Sequence, residues 1–323
     1  MPLCTNCAHP VPHLYTIYQT AHNVRLSQCP SCHELADPYV EHDGLNVVLD
    51  LILLKRAVYR HLLFNRGAPP RRVVDGVSVK AGAEIEEGDE DWARERIRWW
   101  WTLRVGVGVV LVDAFIRWSQ LRMLHSAETE TSITWTRGAM VSFLRVLVGC
   151  LVETVAFHVG ITVSSFLVLT GLEKAARWRI VRSEPMSGVR QQLRYSHISL
   201  CLLYSSLTKF FLLLLLSIWG PSSVTDATPP QYTHTIVFEN ASLRRIWEAL
   251  DDDKLDREWV VRNVLGGMAA GFGLRVVLDC HPFFTTLVIL SGWGIKTVVA
   301  SVVSGWVGEE ESIGETWLAY SIP

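Results

Sequence analysis

Four cysteines near the start of the chain are the residues best placed to do chemistry: Cys4 and Cys7, then Cys29 and Cys32. Each pair has the spacing Cys-x2-Cys, and 21 residues separate the two pairs. A tight turn presents both thiolates of such a pair on one side, and tetrahedral Zn2+ takes four sulfurs at about 2.3 Å. The spacing is near that of zinc ribbons. Four protein ligands leave no open position, so the ion this pattern predicts is structural rather than catalytic. Redox-active pairs are the competing reading. His9 and His33 sit beside the pairs and are expected as exposed or hydrogen-bonding neighbours, not ligands. A segment this short buries little core, so the ion would supply most of its folding free energy, on the order of 10 kcal/mol. Cys150, Cys201 and Cys280 stand alone in apolar or span-end positions and read as small apolar residues. An odd cysteine count with paired spacing points to a reducing compartment, not a secreted disulfide framework.

Other chemistry is scarce. Asp251-Asp252-Asp253 contains the Asp-x-Asp spacing with which glycosyltransferases hold a metal-bound sugar nucleotide. In its setting, DDDKLDRE, it reads more simply as a solvated charged loop. Neither GxSxG, HExxH nor a P-loop occurs. A ring-type ubiquitin ligase would need eight ligands for two ions. The expectation is therefore a protein without enzymatic activity.

The elements that must position the cysteines are membrane elements. Hydrophobic residues make up 49 % of the chain and charged residues 19 %, with 13 tryptophans and a mean hydropathy of +0.23. Net charge is −2, so no global basic field argues for a nucleic-acid partner. No cleavable signal peptide is expected, because polar residues and both cysteine pairs precede the first apolar run. Residues 45–65, LNVVLDLILLKRAVYRHLLFN, predict an amphipathic helix. Asp50, Lys55, Arg56, Arg60 and His61 interrupt it too often for a span, so it should lie on a membrane or pack on the zinc module. Residues 66–97 carry Pro69-Pro70 and an acidic run from Glu84 to Asp91, and predict a disordered linker.

Five spans are predicted, over residues 99–120, 140–171, 197–219, 260–280 and 282–306, with a tail over 308–323. Trp101 and Trp118 bracket the first about 25 Å apart, which suits two interfaces. The fourth is weakest, and a four-span chain with residues 260–280 interfacial or re-entrant is its rival. Within the spans, Arg145, Glu153, His158 and Lys209 are costly to bury. Glu153 facing Lys209 across the bundle is the expected pairing, Arg275 and Asp279 the expected local pair. Gly267-x3-Gly271 would permit close helix approach.

Residues 1–98 hold eleven Lys and Arg, residues 173–195 six and residues 119–137 two. That asymmetry predicts a cytosolic N-terminus. Residues 220–259 would then be a lumenal loop, and it holds the glycosylation tripeptide Asn240-Ala241-Ser242.

The stretches CTNCAHPVPHLYTIY, HNVRLSQCPSC, ADPYVEHD and LDLILLKRAVYRHLLFN resemble the Arv1 homology domain from end to end, over residues 1–65. The likeness joins the paired cysteines to Leu14-Tyr15, Asp37, Tyr39, Glu41, Asp43 and Tyr59-Arg60-His61-Leu62. Ala8 stands where the family often has glycine, and the acidic linker looks like an insertion of this chain's own. The resemblance implies residence in the endoplasmic-reticulum membrane, with the Golgi membrane as a second location. It further implies sterol transport and homeostasis, with effects on sphingolipid metabolism. The alternative it implies is a membrane scaffold or lipid-intermediate transporter supporting glycosylphosphatidylinositol (GPI) anchor synthesis. The expected partners are membrane lipids (sterol, sphingolipid or GPI intermediates) and the GPI-synthesis enzymes.

Overall fold

The computed structural model describes residues 1–18, 23–74, 77–80, 87–126, 137–178, 187–219, 260–307 and Trp317. The chain is mainly helical: a small cap carrying the cysteines sits on a bundle of long apolar helices.

The cap holds a four-stranded sheet in the order β2-β1-β3-β4. Strand β1 (Tyr15–Tyr18) pairs antiparallel with β2 (Val24–Leu26). On its other edge β1 pairs parallel with β3 (Arg71–Val74), which pairs antiparallel with β4 (Val77–Lys80). Residues 66–97 were expected as a disordered linker, and this is a correction. They contain β3, β4 and the first turns of a helix that starts at Glu87. The sequence carries the reason: Val73-Val74 and Val77 to Val79 supply β-branched residues that favour strands.

Residues 45–65 form two helices rather than one. Helix α1 (Gly44–Ile52) stops where Leu54 turns left-handed, at φ 56°. Helix α2 (Arg56–Arg60) then runs on as a wider π-type turn over His61–Asn65. The Lys55 ammonium meets the Asp50 carboxylate at 2.7 Å across the corner. This reversal lets the segment hold two distant points. Asn65 returns to Leu3 of the cap, while the Ile52 carbonyl accepts from the Thr208 hydroxyl at 3.1 Å. Phe64 stacks on His197, so the hairpin follows its neighbour helix for about 16 Å from His197 to Thr208. Its inner face is no surface float. Leu51, Val58, Tyr59 and Leu63 join one core with Ile198, Cys201, Leu274 and Leu278 of the bundle.

The bundle comprises α3 (Glu87–Ser126), α4 (Arg137–Trp178), α6 (Tyr195–Trp219), α7 (Gly266–Leu278) and α8 (Pro282–Val307), with a short α5 (Gly188–Gln191) before α6. Among the described residues five helices are long and apolar enough to cross a membrane: Trp92–Arg122, Arg137–Lys174, Tyr195–Trp219, Val260–Leu278 and Pro282–Val307. The fourth includes a π-type stretch (Val260–Leu265) before α7. It spans about 28 Å, close to the hydrocarbon thickness. Helix α4 packs along α8, α6 along α7, and α3 against both α4 and α6. Leu167, Val302 and Met268 are among many large apolar side chains left exposed on the outside. Lipid contact accounts for such a surface.

The Gly267-x3-Gly271 pattern does pack helices closely. A Cβ on Gly267 would fall 2.2 Å from Trp293 of α8, and one on Gly271 3.0 Å from Ile289. Gly267→Val is therefore expected to lower the thermal midpoint of the purified protein by several degrees, since overpacking costs about 1–3 kcal/mol. Gly294→Ala, where nothing lies within 4 Å, should leave it unchanged or raise it. Equal midpoints for the two variants would refute the close-approach account.

Candidate metal centre and its docking

Each cysteine pair sits on a knuckle built the same way. The Cys4 amide donates to the His9 carbonyl at 2.9 Å and the Ala8 amide to the Cys4 carbonyl at 3.0 Å. The second knuckle repeats this with Cys29 to Glu34 at 2.8 Å and His33 to Cys29 at 3.0 Å. Closing each turn needs a left-handed residue just after the second cysteine, and Ala8 (φ 62°) and His33 (φ 61°) fill that place. Glycine would do so without strain.

The strain has a testable consequence. A left-handed non-glycine residue costs about 1–2 kcal/mol, against about 0.5–1 kcal/mol of extra chain entropy for glycine. At Ala8, 6 % exposed, glycine would also lose a buried methyl worth about 0.8 kcal/mol, so the terms cancel. His33 is exposed. His33→Gly is expected to stabilise the cap by about 0.5–1 kcal/mol, while Ala8→Gly stays near neutral. Thermal metal release from the two variants checks this.

The knuckles face each other. All four Sγ atoms lie within 4.8 Å of one another. Two contacts cross between the knuckles, Cys4 to Cys32 at 3.7 Å and Cys7 to Cys29 at 3.5 Å. A tetrahedral ion with bonds near 2.3 Å sets its sulfurs about 3.8 Å apart. The donor set fits such an ion, and the cluster could coordinate a metal. Burial pushes the Cys4 thiol up to about 12 and also raises Cys7. At Cys29 burial is outweighed by the amides of Cys32 and Ser31, and the thiol falls to about 7. A divalent cation among them supplies the positive charge that four close thiolates need. His9 and His33 are exposed and stand outside the four-sulfur group.

The cap is fastened by the segment that follows it. Asn65, 2 % exposed, accepts from the Leu3 amide at 2.8 Å and donates to the Leu3 carbonyl at 2.7 Å. Arg60 donates to the carbonyls of Thr5 and Asn6, inside the first knuckle. Asp37 has no exposed surface and accepts from the Tyr39 amide (3.0 Å), His61 Nδ1 (2.7 Å) and Asn65 Nδ2 (2.7 Å). A buried carboxylate needs such donors. Tyr39 in turn donates to Asp50 at 2.8 Å. On the far side Gly188 lies so close that an added Cβ would sit 2.5 Å from the Ala8 carbonyl oxygen. Asp37, Tyr39, Arg60 and His61 all stand in the stretches that resemble the Arv1 homology domain. Asn65 was not singled out. A polar residue closing an apolar run was its signal.

The charges within the spans pair differently from expectation. Glu153 does not face Lys209. Its carboxylate takes Arg117 Nη1 at 2.9 Å and the Trp317 indole N–H at 2.9 Å. Arg117 also holds Asp113 at 2.8 Å, and Arg262 stands 3.8 Å from Asp113 and donates to Gln120 at 3.2 Å. Arginine wins because its forked head can serve two carboxylates at once. Asp113 and Arg117, four apart on one face of α3, were the missed signal. Trp317, expected in a plain tail, is 1 % exposed and packs with Val110, Trp118 and Cys150. Arg275 and Asp279 meet through the backbone, the Asp279 amide donating to the Arg275 carbonyl at 3.2 Å, with Asp279 a left-handed helix end at φ 44°. His158 Nδ1 donates to the Thr154 carbonyl at 2.8 Å, and Arg145 is half-buried. Asn240 and the run Asp251 to Asp253 lie outside the described residues.

Fold and site together define a multi-span helical membrane protein with a docked cysteine cap capable of holding a metal ion. A family model described as the Arv1-like family matches residues 3–238, and the chain belongs to that family. It is similar to Protein ARV1 of Saccharomyces cerevisiae, 48 % identical over 63 residues, covering 20 % of this chain and 19 % of that protein. Protein arv1 of Schizosaccharomyces pombe is 28 % identical over 162 residues, 49 % of this chain and 51 % of its own length. The Dictyostelium discoideum arv1 homologue is 48 % identical over 66 residues, 20 % of this chain and 27 % of that protein. The matched segments thus span between about a fifth and a half of these relatives. No solved structure matches.

Proposed function

We propose that the chain is a non-enzymatic mediator of sterol homeostasis in the endoplasmic-reticulum membrane, acting in sterol transport and distribution between membranes. Zn2+ held by Cys4, Cys7, Cys29 and Cys32 is its structural ion. The cap, residues 1–65 with the strands β3 and β4 that complete its sheet, faces the cytosol, and the transmembrane domain occupies residues 98–307 with residues 220–259 lumenal. Family membership supports the lipid reading. One observation carries the link from cap to membrane. The segment Gly44 to Asn65 grips the first knuckle at one end and the middle of α6 at the other, so the state of the metal bears directly on the bundle. Sphingolipids and GPI intermediates are further lipids this reading admits, and the GPI-synthesis enzymes further partners.

Expression of this chain in an Arv1-deficient cell tests the proposal. Wild-type protein is expected to restore sterol distribution, and the variant with all four cysteines changed to serine to fail while still reaching the membrane. Sterol distribution unaltered by the wild-type chain would refute it.

A further inference from the structure

All five spans meet around a cavity of about 90 Å3. A water needs about 10–15 Å3 on the same measure, so the void has room for several waters or one tetrahedral oxyanion. Its wall carries Arg117, Lys209, Arg262 and Lys296, with Asp113 as the one carboxylate among the described lining residues. Glu153, just behind, is taken up by Arg117 and Trp317. Among the described residues, Arg117, Lys209 and Lys296 therefore face two carboxylates, and Arg117 holds both of those. Among the described residues no carboxylate stands at ion-pair distance from Lys209 or Lys296. The Phe210 ring lies beside Lys209, 5.0 Å from its Nζ to the centroid.

A second observation points the same way. Asn263 is 3 % exposed, lines this cavity, and both its Nδ2 and Oδ1 are buried without a partner. Buried amides are ordinarily satisfied. A surplus of positive charge inside an apolar layer is unfavourable unless an anion answers it. Water would satisfy the amide and leave the charge.

The cavity also has a neighbour. Thr154 and His158 of α4 line both it and an apolar groove of about 660 Å3 on the outside of α3, α4 and α6. Trp99, Leu103, Leu151 and Leu203 are among the groove's walls. His158 Nε2, at the junction, is buried without a partner.

We propose that this cavity binds the phosphoryl headgroup of a membrane lipid, whose acyl chain lies in the adjoining groove. Lys209, Lys296 and the Asn263 amide receive the phosphoryl oxygens, and His158 sits at the neck between head and chain. The inference goes beyond the sterol reading, because a sterol carries no anion, and the two stand or fall separately.

The test uses the full chain in phosphatidylcholine nanodiscs, with phosphatidate spin-labelled on its acyl chain. A diacylglycerol carrying the same label lacks the phosphate, and inorganic phosphate serves as competitor. The expected result is a motionally restricted phosphatidate signal with at least tenfold preference over the diacylglycerol. Lys209→Met with Lys296→Met should erase that preference, whereas Asp113→Asn, which removes a competing carboxylate, should strengthen it. Misfolding would weaken binding in every variant, so the opposite signs separate the causes. Equal restriction of both labelled lipids, or a preference that survives the double lysine change, overturns the proposal. Full displacement by millimolar inorganic phosphate overturns the lipid source and leaves a free-anion site.

Discussion

Cys4→Ser is expected to empty the metal centre and unfold the cap, with metal content per chain falling towards zero from the wild-type value. The magnitude follows from how little else holds the knuckles. The buried apolar residues around them are Leu3, Cys4, Ala8, Val11, Leu14, Cys29 and Ala36, too few to offset the backbone entropy of the segment. Structural zinc contributes about 10–16 kcal/mol in small modules at neutral pH, so losing a ligand removes most of what stabilises this one. The fastening residues should then fail in turn. Arg60 and Asn65 read backbone groups of Leu3, Thr5 and Asn6, which keep their positions only while the first knuckle is closed. Elemental analysis paired with limited proteolysis of residues 1–65 reads both effects. Cys7 is exposed and Cys4 buried, yet Cys7→Ser should cost as much, because the ion needs four donors whatever their exposure. Cys150→Ser should change neither. Retention of metal by the Cys4 variant, or a cap equally resistant to protease after chelation, would contradict the centre.

Arg117→Met is expected to destabilise the bundle by about 3–5 kcal/mol, the usual cost of stranding one side of a buried ion pair. Here Glu153, with no exposed surface, loses the ion pair it makes, and Asp113, 7 % exposed, keeps only the longer contact to Arg262 at 3.8 Å. Trp317 would lose the charge it stacks against, since the Arg117 guanidinium lies 5.1 Å from its ring. Adding Glu153→Gln and Asp113→Asn to Arg117→Met should recover much of the loss, because uncharged partners need no counter-charge. Lys209→Met should cost far less, since among the described residues no carboxylate depends on Lys209. Thermal unfolding in detergent compares the series. A Lys209 variant as unstable as the Arg117 variant would return Glu153 to the pairing that its sequence position suggests.

The amino-acid order alone determined what depends on local spacing. Two Cys-x2-Cys turns offer four thiolates to one ion, and five apolar stretches are long enough to cross a bilayer. Two glycines four apart, Gly267 and Gly271, let α7 approach α8. These properties reside in a few neighbouring residues, so they could be read without knowing where anything else lay. The pairings across the bundle could not. Glu153 had basic residues on several other spans to choose from, and helix rotation, which no single helix specifies, gave it to Arg117 and Trp317. The break at Leu54 was hidden for the same reason. A run that is helix-forming throughout bends only because Asn65 and Ile52 are claimed by partners 62 and 156 residues away. Long-range contacts chose among conformations that local preference left nearly equal.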